Sequence, residues 1–196
     1  MTATQADLLL TGGWTVDRWK ELPEYPRYEL IDGWLALLDR PAVYQFPLVD
    51  VCKALDAECP PDLLAVHRIS LEVDARSRPC PDVVVLKTDH SDRSPVPIAD
   101  AVLVFEVVPP DWNVRDLFVK ETVYGRAGVP HYWLLDRSEP AGFTLMVLRP
   151  DGKGRFDVVE STHDVFTTTE PYPVTIDLPA LTTRWRKRWE RIRPRG

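Results

Sequence analysis

The sequence predicts a mixed α/β fold with helices packed on a central sheet, and three stretches carry that expectation. Residues 101–108 (AVLVFEVV) form an apolar run suited to a strand buried on both faces. Residues 82–87 (DVVVLK) read as a second strand after Pro79 and Pro81. A helical stretch, about 114–127, separates the first run from a further strand at 131–136 (HYWLLD), with Gly128 placed at the helix C′ position. Strand, helix and strand in this order describe a layered arrangement of helices on a sheet.

The other elements follow along the chain. Residues 15–22 (TVDRWKEL) predict a short helix with Thr15 as N-cap and Asp17 in the first turn, ended by Pro23 and Pro26. Residues 27–39 predict a hairpin turning at Asp32-Gly33. After Pro41, the residues Val49, Cys52 and Leu55 recur at helical spacing with Leu48 and Val51 beside them. Pro47 fits the first turn of that helix, and Pro60-Pro61 closes it. Residues 63–73 predict a strand, 88–100 a loop, and 143–160 a hairpin around Pro150-Asp151-Gly152. Irregular chain or short strand is expected up to Pro179, then a Trp/Arg helix over about 180–192.

A length of 196 residues suits one domain spanning 1–196, with 1–14 expected to be flexible and 180–196 forming a basic helix and tail. The 44% hydrophobic content supports a core. No run of 18 apolar residues is present, which argues against a membrane span and a membrane partner. The N-terminal MTATQADLLLTGG has no basic residue before its apolar stretch, unlike a secretory signal. Cys52, Cys59 and Cys80 are odd in number and lack a C-x-x-C spacing, so reduced thiols in a cytoplasmic protein are expected. The net charge of −6 is uneven: residues 184–195 carry seven Arg or Lys and one Glu, leaving −12 for the remainder. An acidic body disfavours non-specific nucleic-acid binding, which depends on neutralising phosphates.

Glu106 is the most informative residue, because it interrupts an apolar run. Val102, Val104, Glu106 and Val108 alternate onto one face, where an ionised carboxylate is costly unless paired or bound to a metal. An edge position reaching solvent or an Arg is the bland alternative, ranked second because the strand reads as central. Asp82 at a strand start is ordinary turn chemistry by itself. Paired with Glu106 from a neighbouring strand, it makes a site for a hard divalent cation, Mg²⁺ or Mn²⁺. Lys120 follows Asp116 by four residues, which could be a plain ion pair worth roughly a few tenths of a kcal/mol. It also shares a face with Leu117, Tyr124 and Ala127, a boundary from which a lysine can reach an anion. Glu29 in the first hairpin either faces solvent or adds a further carboxylate to the metal. His67, His90, His131 and His163 show no ligand spacing, His131 reading as structural, and no Gly-rich phosphate loop occurs.

PDVVVL at 81–86, VLVFEVVPP at 102–110, the Asp116–Lys120 pair and YGRAGVPHYWLLD at 124–136 resemble the Uma-two family, as does ELPEYPRYELIDGWL at 21–35. These are bacterial restriction endonuclease-like proteins of the PD-(D/E)XK nuclease fold. The resemblance implies an αβββαβ core in which Asp82 and Glu106 bind Mg²⁺. The superfamily's lysine, two residues after the Glu, is replaced here by Val108. The resemblance passes that role to Lys120, makes Asp116 its accompanying acid, and matches Glu29 to the carboxylate of the ELIDG segment. Pro109 stands where the family has Ser, and Tyr44-Gln45 stands near its usual His.

The function expected from this resemblance is metal-dependent hydrolysis of phosphodiester bonds in nucleic acid, DNA ahead of RNA. The metal would acidify a bound water and polarise the phosphate. Lys120 would stabilise charge or orient the attacking group, and Asp116 would hold Lys120. A homodimer is expected for cutting two strands. Two alternatives stay open: a catalytically silent fold-mate serving as a binding module, and an assembly role for Trp185 and Trp189 docking on another subunit. For those tryptophans, packing on the chain's own core is ranked first.

Overall fold

In a computed structural model of the chain, the described residues are 12–22, 27–38, 45–108, 114–137 and 142–192, with the side chains of 114–117 outside that set. A short helix α1 (Val16–Trp19) opens it, with Thr15 Oγ1 accepting from Arg18 N at 3.3 Å as the predicted cap. It is shorter than the predicted 15–22. Trp14 is buried, and its backbone N–H donates to Gly33 O at 3.0 Å, so the flexible stretch expected over 1–14 does not extend to this residue; residues 1–11 lie outside the described residues. Strands β1 (Tyr28–Ile31) and β2 (Trp34–Leu37) form the predicted hairpin. Asp32 and Gly33 both take positive φ, 47° and 80°, the two-residue turn that suits a hairpin's twist.

Helix α2 (Gln45–Asp56) buries Pro47, Leu48, Val51 and Leu55. Val49, expected on that face, is exposed instead, because the buried stripe runs 48–51–55. The single strand predicted over 63–73 is broken into β3 (Leu63–His67) and β4 (Leu71–Glu72). Arg68 stands between them at a φ of 54°, which no extended strand allows. β5 (Val83–Lys87) matches prediction. The expected loop at 88–100 holds two single turns of 3₁₀ helix and a short strand β6 (Val96–Pro97) parallel to β4.

β7 (Ala101–Val108) is the central strand the sequence predicts, followed by α3 (Val114–Arg126) and β8 (Tyr132–Asp136). Gly128 N donates to Gly125 O and Val129 N to Tyr124 O, both at 3.1 Å, which closes α3 as predicted. β9 (Thr144–Pro150) and β10 (Phe156–Thr162) form the next hairpin. The stretch left as irregular or short strand pairs as β11 (Val165–Thr168) and β12 (Val174–Asp177). Helix α4 (Leu178–Ile192) begins two residues before its expected start, capped by Asp177 Oδ1 accepting from Ala180 N at 2.8 Å. None of the described helices is long and apolar enough to cross a membrane.

Six strands form the central sheet in the order β10-β9-β8-β7-β5-β3. β7 and β8 are parallel and the other neighbours antiparallel. One face carries Val83, Val85, Leu103, Phe105, Val107, Trp133 and Leu135 against α2, α4 and the β11–β12 hairpin. The other carries Val84, Leu86, Val104, Tyr132 and Leu134 against Tyr124 of α3. The expected alternation Val102–Val104–Glu106–Val108 fails at its first member. The register shifts between Val85 and Leu86, and Val102 packs with the opposite face. Trp185 is buried in the first core and stacks on Trp189 with ring centroids 5.4 Å apart, so the subunit-docking reading of this pair gives way to the packing one.

Candidate active site

The two strand carboxylates meet because of register. Val83 lies opposite Phe105 in the antiparallel β5–β7 pair, which sets Asp82, one residue before β5, opposite Glu106. Opposed residues in such a pair point to one face. Asp82 Oδ2 accepts a hydrogen bond from Val107 N at 2.9 Å, which anchors the first carboxylate beside the second. The edge alternative for Glu106 is excluded, since β7 has neighbours on both sides and Glu106 is only 1% exposed.

Two further elements close over this pair. α3 brings Lys120, and the β1–β2 hairpin brings Glu29, both 4% exposed. Lys120 Nζ lies 3.1 Å from Glu106 Oε1 and 2.9 Å from Glu29 Oε1, bridging the two carboxylates. Glu29 Oε2 accepts from Cys80 N at 3.1 Å, so both of its oxygens are engaged. Tyr124, one helical turn after Lys120, donates its hydroxyl to Glu106 Oε1 at 2.9 Å.

These contacts set the electrostatics. Burial pushes the Glu106 carboxyl up to about 7, with Asp82 and Glu29 adding to the rise and Lys120 opposing it. Burial would lower the Lys120 ammonium, but Glu106, Glu29 and Asp82 outweigh it and hold the pKa above its ordinary value. Lys120 is therefore a firmly held cation. Burial, then Glu29, pushes the Cys80 thiol up to about 12, which keeps it protonated. Among the described residues, three buried carboxylates against one ammonium give the cluster a formal charge of −2.

The chemistry of this donor set fits a hard divalent cation. Carboxylate oxygens are the preferred ligands of Mg²⁺ and Mn²⁺, and the charge excess equals one such ion. No hydrogen bond among the described residues engages Glu106 Oε2 or Asp82 Oδ1. Among the described residues, however, no three His, Cys, Asp or Glu side chains stand as a ready-made ligand set. Lys120 between Glu29 and Glu106 is the physical reason.

The structure thus brings together four of the five predicted residues: Glu29, Asp82, Glu106 and Lys120. The fifth, Asp116, lies on α3, with its side chain outside the described residues. Sequence reasoning gave Tyr124 no role. Its signal was a polar-tipped side chain on the Lys120 face of an amphipathic helix. His131, expected to be structural, contacts Arg149, and burial followed by that guanidinium lowers its pKa to about 4.

Comparison with known proteins follows the same lines. A solved structure described as "a putative nuclease belonging to DUF820 from Anabaena variabilis ATCC 29413" is similar at 18% identity and a TM-score of 0.66. The alignment covers 88% of this chain and 99% of that one, a likeness in fold. No curated protein matches. The model of the Uma2 family, described as "Putative restriction endonuclease", matches residues 15–181, a span that includes Glu29, Asp82, Glu106 and Lys120. The family's description supports a nuclease function. With most of its length matched, the chain belongs to the Uma2 family.

Proposed function

We propose that this protein is a metal-dependent endonuclease that hydrolyses phosphodiester bonds in DNA with Mg²⁺ or Mn²⁺. The observation that carries the reading is the buried Glu29–Asp82–Glu106–Lys120 cluster, in which Asp82, one residue before β5, stands opposite Glu106 of β7 and carboxylates outnumber the ammonium by two among the described residues. Chemistry supplied by a divalent cation bound there is polarisation of a phosphodiester oxygen and acidification of a water. Asp82 and Glu106 are the ligands, each held on one oxygen by this chain's own donors. Glu29 is a further candidate ligand: Lys120 Nζ and Cys80 N each bond one of its two oxygens, and a carboxylate accepts at about four lone-pair sites. Lys120 offers a fixed positive charge where negative charge builds on the phosphate during reaction. Asp116 keeps its expected role of supporting Lys120 from four residues earlier on α3.

The restriction-endonuclease description of the family supports DNA as the substrate. A homodimer belongs to the same proposal, because two sites would cut both strands of a duplex in one binding event. So does a single domain over 1–196, supported by the sheet that both main cores share. The free state of Cys52, Cys59 and Cys80 supports a reducing, cytoplasmic setting.

The test is hydrolysis of duplex DNA and of RNA with Mg²⁺ or Mn²⁺, comparing the wild type with Glu106→Gln, a change that keeps the side chain's shape. The expected result is that the wild type cuts DNA, that chelation of the metal stops it, and that the folded variant shows no cutting. Undiminished cutting by the variant, or in the presence of chelator, would sink the reading.

A further inference from the structure

We propose that Tyr124 is a positioning residue of this site, its hydroxyl fixing the Glu106 carboxylate so that Oε2 is left for the cation beside Asp82. The inference rests on the metal site proposed above and assigns a residue that the site's carboxylates and lysine do not cover. Lys120 and Tyr124 stand four residues apart on α3, so one helix face delivers both donors. They converge on the same atom, Glu106 Oε1, at 3.1 and 2.9 Å. A carboxylate held by two donors on one oxygen cannot rotate without breaking both bonds. The two donors are not equivalent. Lys120 is divided between Glu106 and Glu29. Among the described residues, Tyr124 is bound to no second carboxylate.

Packing alone does not explain the hydroxyl. The Tyr124 ring lies in the apolar cluster, 5.4 Å from the Tyr132 ring, in surroundings that a Phe would fill equally well. Tyr132 provides the internal comparison. Its ring is equally buried, and its hydroxyl has no hydrogen-bond partner among the described residues. Two buried tyrosines therefore stand side by side, and only one of them donates to the site.

Groups that orient a metal ligand typically change metal affinity by about 10- to 100-fold when removed. The experiment is calorimetric titration of Mn²⁺ into the full-length wild type, Tyr124→Phe, Tyr132→Phe and Glu106→Ala, with the folded state of each checked by thermal unfolding. The expected result is a Kd about 10- to 100-fold weaker for Tyr124→Phe, an unchanged Kd for Tyr132→Phe, and no binding by Glu106→Ala. Wild-type affinity in Tyr124→Phe overturns the positioning role and leaves the metal site standing. Equal weakening in both Phe variants also overturns it, since packing would then be the cause. No Mn²⁺ binding by the wild type overturns the metal site itself, and the Tyr124 role falls with it.

Discussion

Glu106 shows what one carboxyl inside a sheet does to the chain's response to pH. Burial holds it at about 7 in the folded state, against about 4.3 for an unperturbed Glu. The folded chain therefore binds this proton more tightly than the unfolded chain. Its contribution to stability is complete below about 4.3 and is lost as pH rises through about 7. His131, held down at about 4, works in the opposite direction over nearly the same window, so the readout is the difference between two proteins: without added metal, the Tm of Glu106→Gln should rise relative to wild type as pH increases across this window. Parallel Tm profiles for the two proteins would contradict the assignment. The residue was legible because a charge in an apolar strand has few explanations, and Asp82 became legible with it. The Glu29–Lys120 contact was not, because a hairpin and a helix far apart in sequence meet only through tertiary packing. Tyr124 was hidden for another reason: its ring satisfies the apolar pattern, and pattern says nothing about where a hydroxyl points.

At the scale of elements, the site depends on how closely α3 approaches the β9–β10 turn. A Cβ on Gly125 would overlap Gly154 O and lie 2.8 Å from Gly154 C and 3.1 Å from Arg155 Cα. These are backbone atoms and cannot rotate aside. Overpacking of this kind costs about 1–3 kcal/mol, partly offset by the roughly 1 kcal/mol by which Ala exceeds Gly in helix propensity. Gly125→Ala should lower Tm by a few degrees, and an unchanged Tm in a thermal melt would show that the turn yields. Of the elements themselves, β5, β7, α3 and β8 were readable because apolar runs and a glycine stop marked them. The break at Arg68 and the parallel pairing of β4 with β6 were not, since two-residue strands carry no periodicity.

Across the whole molecule, charge and chemistry lie on opposite sides of the sheet. Leu181 and Trp185 of α4 pack on the face holding Phe105 and Val107, while Glu106 belongs with the face holding Val104 and Leu134. Arg184 and Arg188 reach back to Asp50 of α2, at 3.3 and 2.9 Å. The basic helix is thus fastened to the layer remote from the carboxylates. Replacing the exposed Lys187 and Arg191 together by Gln should leave Mn²⁺ affinity unchanged. A loss of binding in that double variant, measured by the same calorimetry, would mean that α4 acts on the site across the sheet. Its charge was plain in the sequence; its side of the sheet was not, because a run of arginines does not reveal which layer its helix joins.

The ammonium of Lys120 also has a mechanical meaning. Glu29 rides on a hairpin with its own small core of Trp14, Tyr28, Leu30 and Leu35. Lys120 rides on a helix, and Glu106 on the middle of the sheet. Three separately braced parts are pinned at one nitrogen. Outward travel of the hairpin loads a contact that also helps hold the helix to the sheet, so displacing one of these parts strains the other two.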